Sequence, residues 1–127
     1  MRLLIVCDRT LAARRLCGEL SNCPAEIICV ANLKELRVAC NSLFDLALLD
    51  VAWAELVEYI RTIRESPSGA NSAVLVDSER LSNGPSLAGV LPSLRAMPCR
   101  HGDLVKLAQW LIAGGREDMV RRSPGLL

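Results

Sequence analysis

The chain has 127 residues, which is enough for one domain of ordinary size and too few for two. Its 15 basic and 14 acidic residues leave a formal net charge of +1, which argues against a nucleic-acid-binding or membrane-surface protein. The longest apolar runs fall far short of the ~20 residues that span a bilayer, and the N-terminus lacks the pattern of a signal peptide. We therefore expect a cytoplasmic domain.

The first part of the chain predicts a strand, a helix and a second strand. Residues Leu3–Val6 form a continuous apolar run, as expected for a strand that is covered on both faces. Residues 10–20 have helical spacing, and Pro24 follows them. Residues Glu26–Val30 are predicted as the second strand. The helical residues predicted to face inward are Leu11, Leu16 and Leu20.

The middle of the chain repeats this alternation. Asn32 is predicted to cap a helix, because Glu35 three residues later completes a capping box. Residues Asp45–Asp50 form the third predicted strand, an apolar stretch that ends in a carboxylate. A helix over about 54–65 follows, with apolar residues at helical spacing.

The last part of the chain contains the fourth predicted strand, Ala73–Val76, and a less regular segment. Residues 77–92 include Asn83-Gly84-Pro85, which predicts a short or distorted helix. A fifth strand is predicted over 93–97, before Pro98, and a last helix over 103–113. Gly114-Gly115 should end that helix.

The six cysteines show no CxxC pair and are accompanied by a single histidine, His101. Zinc sites and redox-active pairs have close spacings that this pattern lacks. Several cysteines are flanked by apolar residues, as in Ile28-Cys29-Val30. We interpret them as small buried hydrophobic residues in a reducing compartment, and His101 as a loop residue.

Strands that alternate with helices predict an α/β domain with a parallel sheet and helices on both faces. In such sheets, functional residues lie beyond the carboxyl ends of the strands. The residues found there are Asp8, Asp50 and Asp77, with Met97 near the end of the fifth strand. We expect the three carboxylates to converge in one acidic pocket.

This pattern resembles the receiver domain of bacterial response regulators over about residues 2–113. The resemblance implies a flavodoxin-like, five-stranded parallel sheet of order 2-1-3-4-5, and a receiver-like domain over 1–115. Residues 116–127 are polar and then contain Pro and Gly, which suits a tail or the start of a linker to an effector domain. The best local matches are Leu3–Asp8, Phe44–Val51 and Ile60–Arg64.

In that family, acids after the first strand and an Asp after the third hold Mg²⁺, and the third-strand Asp accepts a phosphoryl group. A Ser or Thr after the fourth strand and a Lys after the fifth bind the phosphoryl oxygens. Asp50 matches the phosphoacceptor and Asp8 matches the second acid. The substituted positions are Cys7 for the first acid, Asp77 for the Ser or Thr, Leu94 for the switch aromatic and Met97 for the Lys.

The resemblance therefore implies a degenerate receiver, or pseudo-receiver. A thiol is a poor ligand for Mg²⁺. Without the Lys, the acids are like charges, so at least one should have a raised pKa or recruit a cation. We expect neither stable phosphorylation, nor a cofactor, nor enzymatic activity.

Such a module would act in signal transduction or transcriptional regulation by protein contact. The expected partner is another protein, the chain's own effector domain or a second copy. The expected surface is the fourth strand, the fifth strand and the last helix, and DNA contact would belong to an effector.

Two other hypotheses stay open. The chain could be a working receiver of a two-component phosphorelay, phosphorylated on Asp50 with Mg²⁺ held by Asp8 and Asp50. A small-ligand-binding flavodoxin-like module is a weaker hypothesis, because no glycine-rich phosphate loop follows the first strand. Asp77 could also simply be the N-cap of the segment that follows it.

Overall fold

The computed structural model describes residues 2–81 and 91–115, and their strands and helices alternate along the chain. The strands are β1 (Arg2–Cys7), β2 (Glu26–Val30), β3 (Leu46–Asp50), β4 (Ala73–Asp77) and β5 (Ala96–Cys99). The α-helices are α1 (Thr10–Leu20), α2 (Leu33–Ala39), α3 (Trp53–Glu65) and α4 (His101–Trp110). All strand pairs are parallel, and the order is β2-β1-β3-β4-β5. The predicted flavodoxin-like sheet is confirmed.

The sheet is covered on both faces because alternate residues of its inner strands enter two separate cores. On one face, Leu4 and Leu49 pack with the inward residues of α2 and α3, such as Ile60. On the other face, Ile5 and Leu48 pack with the inward residues of α1 and α4. Between their end residues the inner strands are apolar, because neither of their faces meets water.

The start of α2 follows the predicted capping box closely. Asn32 Oδ1 accepts a hydrogen bond from the Glu35 backbone N–H at 2.9 Å. The Glu35 carboxylate accepts one in return from the backbone N–H of Ala31, one residue before the cap, at 2.8 Å. These two bonds satisfy exposed backbone donors and fix where the helix begins.

The prediction that Leu11 faces inward is wrong. Leu11 is 79% exposed, whereas Leu16 and Leu20 are buried. An α-helix turns by about 100° per residue, so residues nine positions apart lie on opposite sides. Because Leu20 faces the core, Leu11 has to face outward.

The predicted bounds of the fifth strand are also wrong. The segment before it turns back on itself, with the backbone N–H groups of Leu94 and Ala96 both donating to the Leu91 carbonyl and with Arg95 at a φ of 57°. The strand then runs through Pro98 to Cys99. A proline is tolerated here because β5 is an edge strand, which leaves one side without a partner strand.

The last helix begins at His101, two residues before its predicted start, and continues into a π-helical turn over Leu111–Gly115. After β4, residues Ser78–Leu81 form a single 3₁₀ turn. The Asn83-Gly84-Pro85 segment and the predicted tail over 116–127 lie outside the described residues. Within the described ranges, no helix has the length and apolar character needed to cross a membrane.

Candidate functional site

The carboxyl ends of β1, β3 and β4 bring the predicted acids to one edge of the sheet. Cys7 and Asp50 lie directly opposite each other in the β1–β3 register, and Asp77 is the last residue of β4. Asp50 and Asp77 are both buried, whereas Asp8 is exposed. At this edge, Asp50 and Asp77 are therefore buried carboxylates, here called the acidic pocket, and Asp8 follows the end of β1 as an exposed one.

A guanidinium that the sequence analysis missed binds the buried Asp50. Arg9 Nη2 donates to Asp50 Oδ2 at 3.1 Å and to Oδ1 at 3.2 Å. Asp50 is 2% exposed, and the Arg9 side chain is 55% exposed. Arg9 follows β1 by two residues, so its place at the same sheet edge was the available signal. The buried Asp50 carboxylate therefore has a cationic partner within the chain.

The thiol of Cys7 also contacts Asp50. Its Sγ lies 3.6 Å from Asp50 Oδ2 and 3.3 Å from the carbonyl oxygen of Arg9. Burial raises the pKa of Cys7, and the negative charge of Asp50 raises it further, although the hydrogen bond to the Arg9 backbone acts in the opposite direction. Cys7 therefore lies beside Asp50 as a neutral, weak donor.

Asp77 is a buried carboxylate with a structural hydrogen bond. Its Oδ1 accepts from the backbone N–H of Glu79 at 3.0 Å, at the start of the 3₁₀ turn. This bond supports the interpretation of Asp77 as a cap. Burial raises the pKa of Asp77, and the charge of Asp50 adds to the effect. The expected raised pKa is therefore present, with burial as its main cause.

His101 is not a loop residue, because it is the first residue of α4 and lies between two carboxylates. Its Nδ1 is 3.7 Å from Asp77 Oδ2, and its Nε2 is 3.3 Å from Glu19 Oε1. The imidazole therefore connects the end of β4 to α1. Sequence spacing gave no sign of this arrangement, since Glu19 and Asp77 are distant from His101 along the chain.

Comparison with known proteins identifies a similar fold. No family model matches the chain, and no curated protein matches it significantly. Its structure is similar to that of a signal receiver domain of two-component signal transduction (histidine kinase) from Clostridium thermocellum. The two are 18% identical, the match covers 78% of this chain and 82% of that one, and the TM-score is 0.65. The chain has the fold of a signal receiver domain.

Within this receiver fold, Leu94 and Met97 lie away from the acidic pocket. Leu94 is in the turn before β5 and packs partly buried against the core shared with α2 and α3. Met97 is in register with Leu75 and is 50% exposed. The residue in register with Asp77 is Cys99. Met97 is near the end of its strand, as predicted, but β5 continues through Pro98 to Cys99, so Met97 lies two residues before that end.

The donor atoms of the pocket do not fit Mg²⁺. This cation prefers an octahedral set of oxygen ligands, whereas both Asp50 oxygens accept hydrogen bonds from Arg9 and the neighbouring Cys7 offers sulfur. Over residues 2–81 and 91–115, no group of three or more His, Cys, Asp or Glu side chains is arranged to hold a metal ion. The pocket instead provides a charge-paired carboxylate.

Proposed function

We propose that this chain is a receiver-fold signalling module that acts in the cytoplasm through contact with a protein partner. In this proposal it works without stable phosphorylation of Asp50, without a cofactor and without enzymatic activity of its own. The observation that carries the proposal is the pair of hydrogen bonds from Arg9 Nη2 to both oxygens of the Asp50 carboxylate.

The Arg9 contact opposes phosphorylation in two ways. To attack a phosphoryl donor, an Asp50 oxygen has to leave a charge-assisted hydrogen bond, which is among the stronger kinds in proteins. One guanidinium also carries half the charge of Mg²⁺, so it compensates a phosphoryl dianion less well. The buried Asp77, whose pKa is raised partly by the charge of Asp50, adds a like charge beside the new group.

The phosphorylation test is incubation with acetyl phosphate and Mg²⁺, followed by intact-mass spectrometry. A receiver domain with both acids and the lysine serves as the positive control. We expect no mass gain in this chain while the control gains one phosphoryl group. A stoichiometric gain that disappears in Asp50→Asn would overturn the proposal and establish the phosphoacceptor alternative.

The proposed contact surface is formed by β4, β5 and α4, and the proposed occupant is a second copy of the chain. An apolar groove of about 220 Å³ lies on this face. Met97, which lines the groove, and Trp110, on α4, are both exposed. Pairing this face with itself would remove apolar area from water, which favours association. The groove is lined by Ala73, Val74, Leu75, Arg95, Met97, Leu107 and Leu111.

Sedimentation velocity tests the pairing directly. We expect the wild-type chain to form a dimer at micromolar concentrations and Met97→Glu to be monomeric, because the charge would enter the interface. Leu43→Glu is the matched control, since Leu43 is also an exposed apolar residue but lies before β3. A monomeric wild type, or a dimer unaffected by Met97→Glu, would contradict this surface.

A further inference from the structure

Cys17 and Cys29 lie on the same side of the sheet, although they belong to different elements. Cys29 is in β2, in register with Ile5 of β1. Side chains in register on neighbouring strands share a face, and Ile5 enters the core that α1 and α4 cover. Cys17 is in α1 and packs against that same core. The two side chains therefore face each other across the interface between α1 and the sheet.

The two thiols act directly on each other. Partial burial raises the pKa of Cys29 to about 11, and the Cys17 thiol adds to this rise through its charge and through a hydrogen bond. Both effects of Cys17 weaken with distance, so the two sulfurs are neighbours. Both cysteines are free thiols. Together they form a dithiol pair that joins α1 to β2.

One member of this pair meets solvent. Cys29 is exposed, so the interpretation of the cysteines as buried hydrophobic residues is wrong for this one. It belongs to an edge strand, which leaves its outer side without a partner strand, and it lines a groove of about 510 Å³. Cys17 is only partly buried. A small molecule can therefore reach the pair through Cys29.

The thiols of three other cysteines have different partners. The Cys7 thiol contacts Asp50, and the Cys99 thiol contacts the Met97 carbonyl. Cys40 packs into the core on the opposite face of the sheet. Cys7 also faces the core beneath α1, and its charge acts on Cys29 more weakly than that of Cys17. Cys7 is thus the competing partner that an experiment has to exclude.

We propose that Cys17 and Cys29 are a reversible redox modification site, which a small-molecule disulfide converts to an intramolecular disulfide bond. In the first step, the Cys29 thiolate attacks one sulfur of the reagent, forms a mixed disulfide and releases one thiol. The Cys17 thiolate then attacks the Cys29 sulfur and releases the second thiol. The chain loses two electrons and two protons, and the reagent carries both away as its two thiols. The proposal does not depend on phosphorylation or on dimer formation.

The surroundings of the pair determine when the bond forms. The raised pKa leaves little Cys29 thiolate at neutral pH, which slows the first step. A reducing compartment keeps the pair open, so closure would report oxidising conditions. Closure would fix α1 covalently to the edge strand. Because a cross-link also restricts the unfolded chain, we expect the oxidised form to resist unfolding more than the reduced form.

The experiment incubates the full chain with mixtures of reduced and oxidised glutathione, alkylates the remaining thiols and maps the peptides by mass spectrometry. Incubation at about pH 8.5, where an ordinary thiol is half ionised, prevents slow chemistry from hiding closure. We expect a peptide linked through Cys17 and Cys29, which dithiothreitol separates again. Six free thiols in the most oxidising mixture, or a bond that joins Cys29 to Cys7 or Cys23 instead, would overturn the proposal.

Variants test the pairing. Cys29→Ser and Cys17→Ser should each abolish the intramolecular bond, and Cys17→Ala is a second variant in case serine at this partly buried position disturbs folding. Cys23→Ser and Cys99→Ser, which also remove partly buried thiols, are the matched controls and should close normally. Oxidised wild type should unfold at a higher urea concentration than reduced wild type, and Cys29→Ser should show no such difference. Closure that persists in Cys29→Ser, or an oxidised form that unfolds more easily, would contradict the assigned pair.

Discussion

Arg9 and Asp50 meet at the end of the sheet because β1 and β3 are adjacent and in register. Cys7, the last residue of β1, lies opposite Asp50, so the chain leaving β1 passes beside the carboxylate. Arg9 Nη2 then lies 3.1 Å from Oδ2 and 3.2 Å from Oδ1. The acid is buried, but much of the Arg9 side chain meets solvent. This arrangement pairs a buried charge with a partly exposed cation.

Removing the guanidinium should leave Asp50 buried without its cation. We expect Arg9→Gln to lower the free energy of unfolding by about 1–2 kcal/mol, a value reduced from that of a fully buried pair because Arg9 is half exposed. Urea unfolding measures the loss, and Arg61→Gln on α3 is the exposed control, expected to change stability by less than about 0.5 kcal/mol. A double-mutant cycle with Asp50→Asn isolates the pair. Equal effects of the two arginine variants would contradict this account.

Sequence patterns correctly locate two kinds of residue. One kind ends a buried apolar strand, and the other caps a helix through a partner a few residues away. Asp50 ends a continuous apolar strand, and Asn32 begins a helix with Glu35 at the right spacing, so both were predictable. The receiver fold followed from the same alternation of strands and helices.

The residues that were misplaced depend on contacts across the fold. Arg9 and His101 bind acids from other elements, and no local spacing encodes those distances. The pattern before Pro98 predicts a strand that ends at Met97, whereas β5 continues through Pro98 to Cys99 because an edge strand tolerates a proline. Hydrophobicity alone places Leu11 on the inner face of α1, whereas helix geometry turns it outward, where it is exposed.

The raised pKa of Asp77 gives a dependence of stability on pH. Burial raises this pKa above its ordinary value of 3.8. Since the folded pKa exceeds the unfolded one, the favourable contribution is present below about pH 4 and is lost as pH rises through the folded pKa. We expect Asp77→Asn, which cannot ionise but keeps an oxygen for the Glu79 N–H, to gain stability relative to wild type between pH 4 and pH 7.

Urea unfolding of both proteins across that pH range measures the Asp77 effect. Glu58→Gln, which removes an exposed carboxylate from α3, is the control for the loss of one surface charge. A stability difference between Asp77→Asn and wild type that stays constant from pH 4 to pH 7, or that shrinks as pH rises, would contradict the assignment to Asp77.

Two glycines should respond in opposite ways to substitution by alanine. At Gly69, an added Cβ would collide with the backbone carbonyl of Ile63 and would lie 2.6 Å from Ser66 Oγ. At Gly18, on the exposed side of α1, it would meet nothing within 4 Å. We expect Gly69→Ala to lower the melting temperature and Gly18→Ala to raise stability by about 0.5–1 kcal/mol, the helix preference for alanine. Thermal unfolding of the two variants measures both effects. A Gly69→Ala variant that is more stable than wild type would contradict the close packing of Gly69 against Ile63 and Ser66.

Arg64 connects α3 to two separate turns through its guanidinium. Its Nη1 donates to the carbonyls of Gly69 and Ser72 at 2.8 and 2.6 Å. Its Nε and Nη2 donate to the carbonyls of Leu94 and Arg95, just before β5, at 3.0 and 2.8 Å. Burial and the nearby Arg95 lower the pKa of Arg64, but an arginine stays charged at neutral pH. One side chain thus satisfies backbone acceptors on both sides of β4.

We expect Arg64→Ala to cost about 2–4 kcal/mol in the free energy of unfolding, because several partly buried carbonyls lose a charged donor at once. Arg64→Lys should recover only part of this, since a lysine ammonium lacks the planar fork that reaches two turns. Arg61→Ala, three residues earlier and exposed, is the matched control. Hydrogen exchange should accelerate in β5 and in the turn before it, because Arg64 bonds the Leu94 and Arg95 carbonyls there. Two results together would contradict this role of Arg64: unchanged hydrogen exchange in that segment of Arg64→Ala, and a loss of stability no greater than that of Arg61→Ala. The turns would then hold their positions without Arg64.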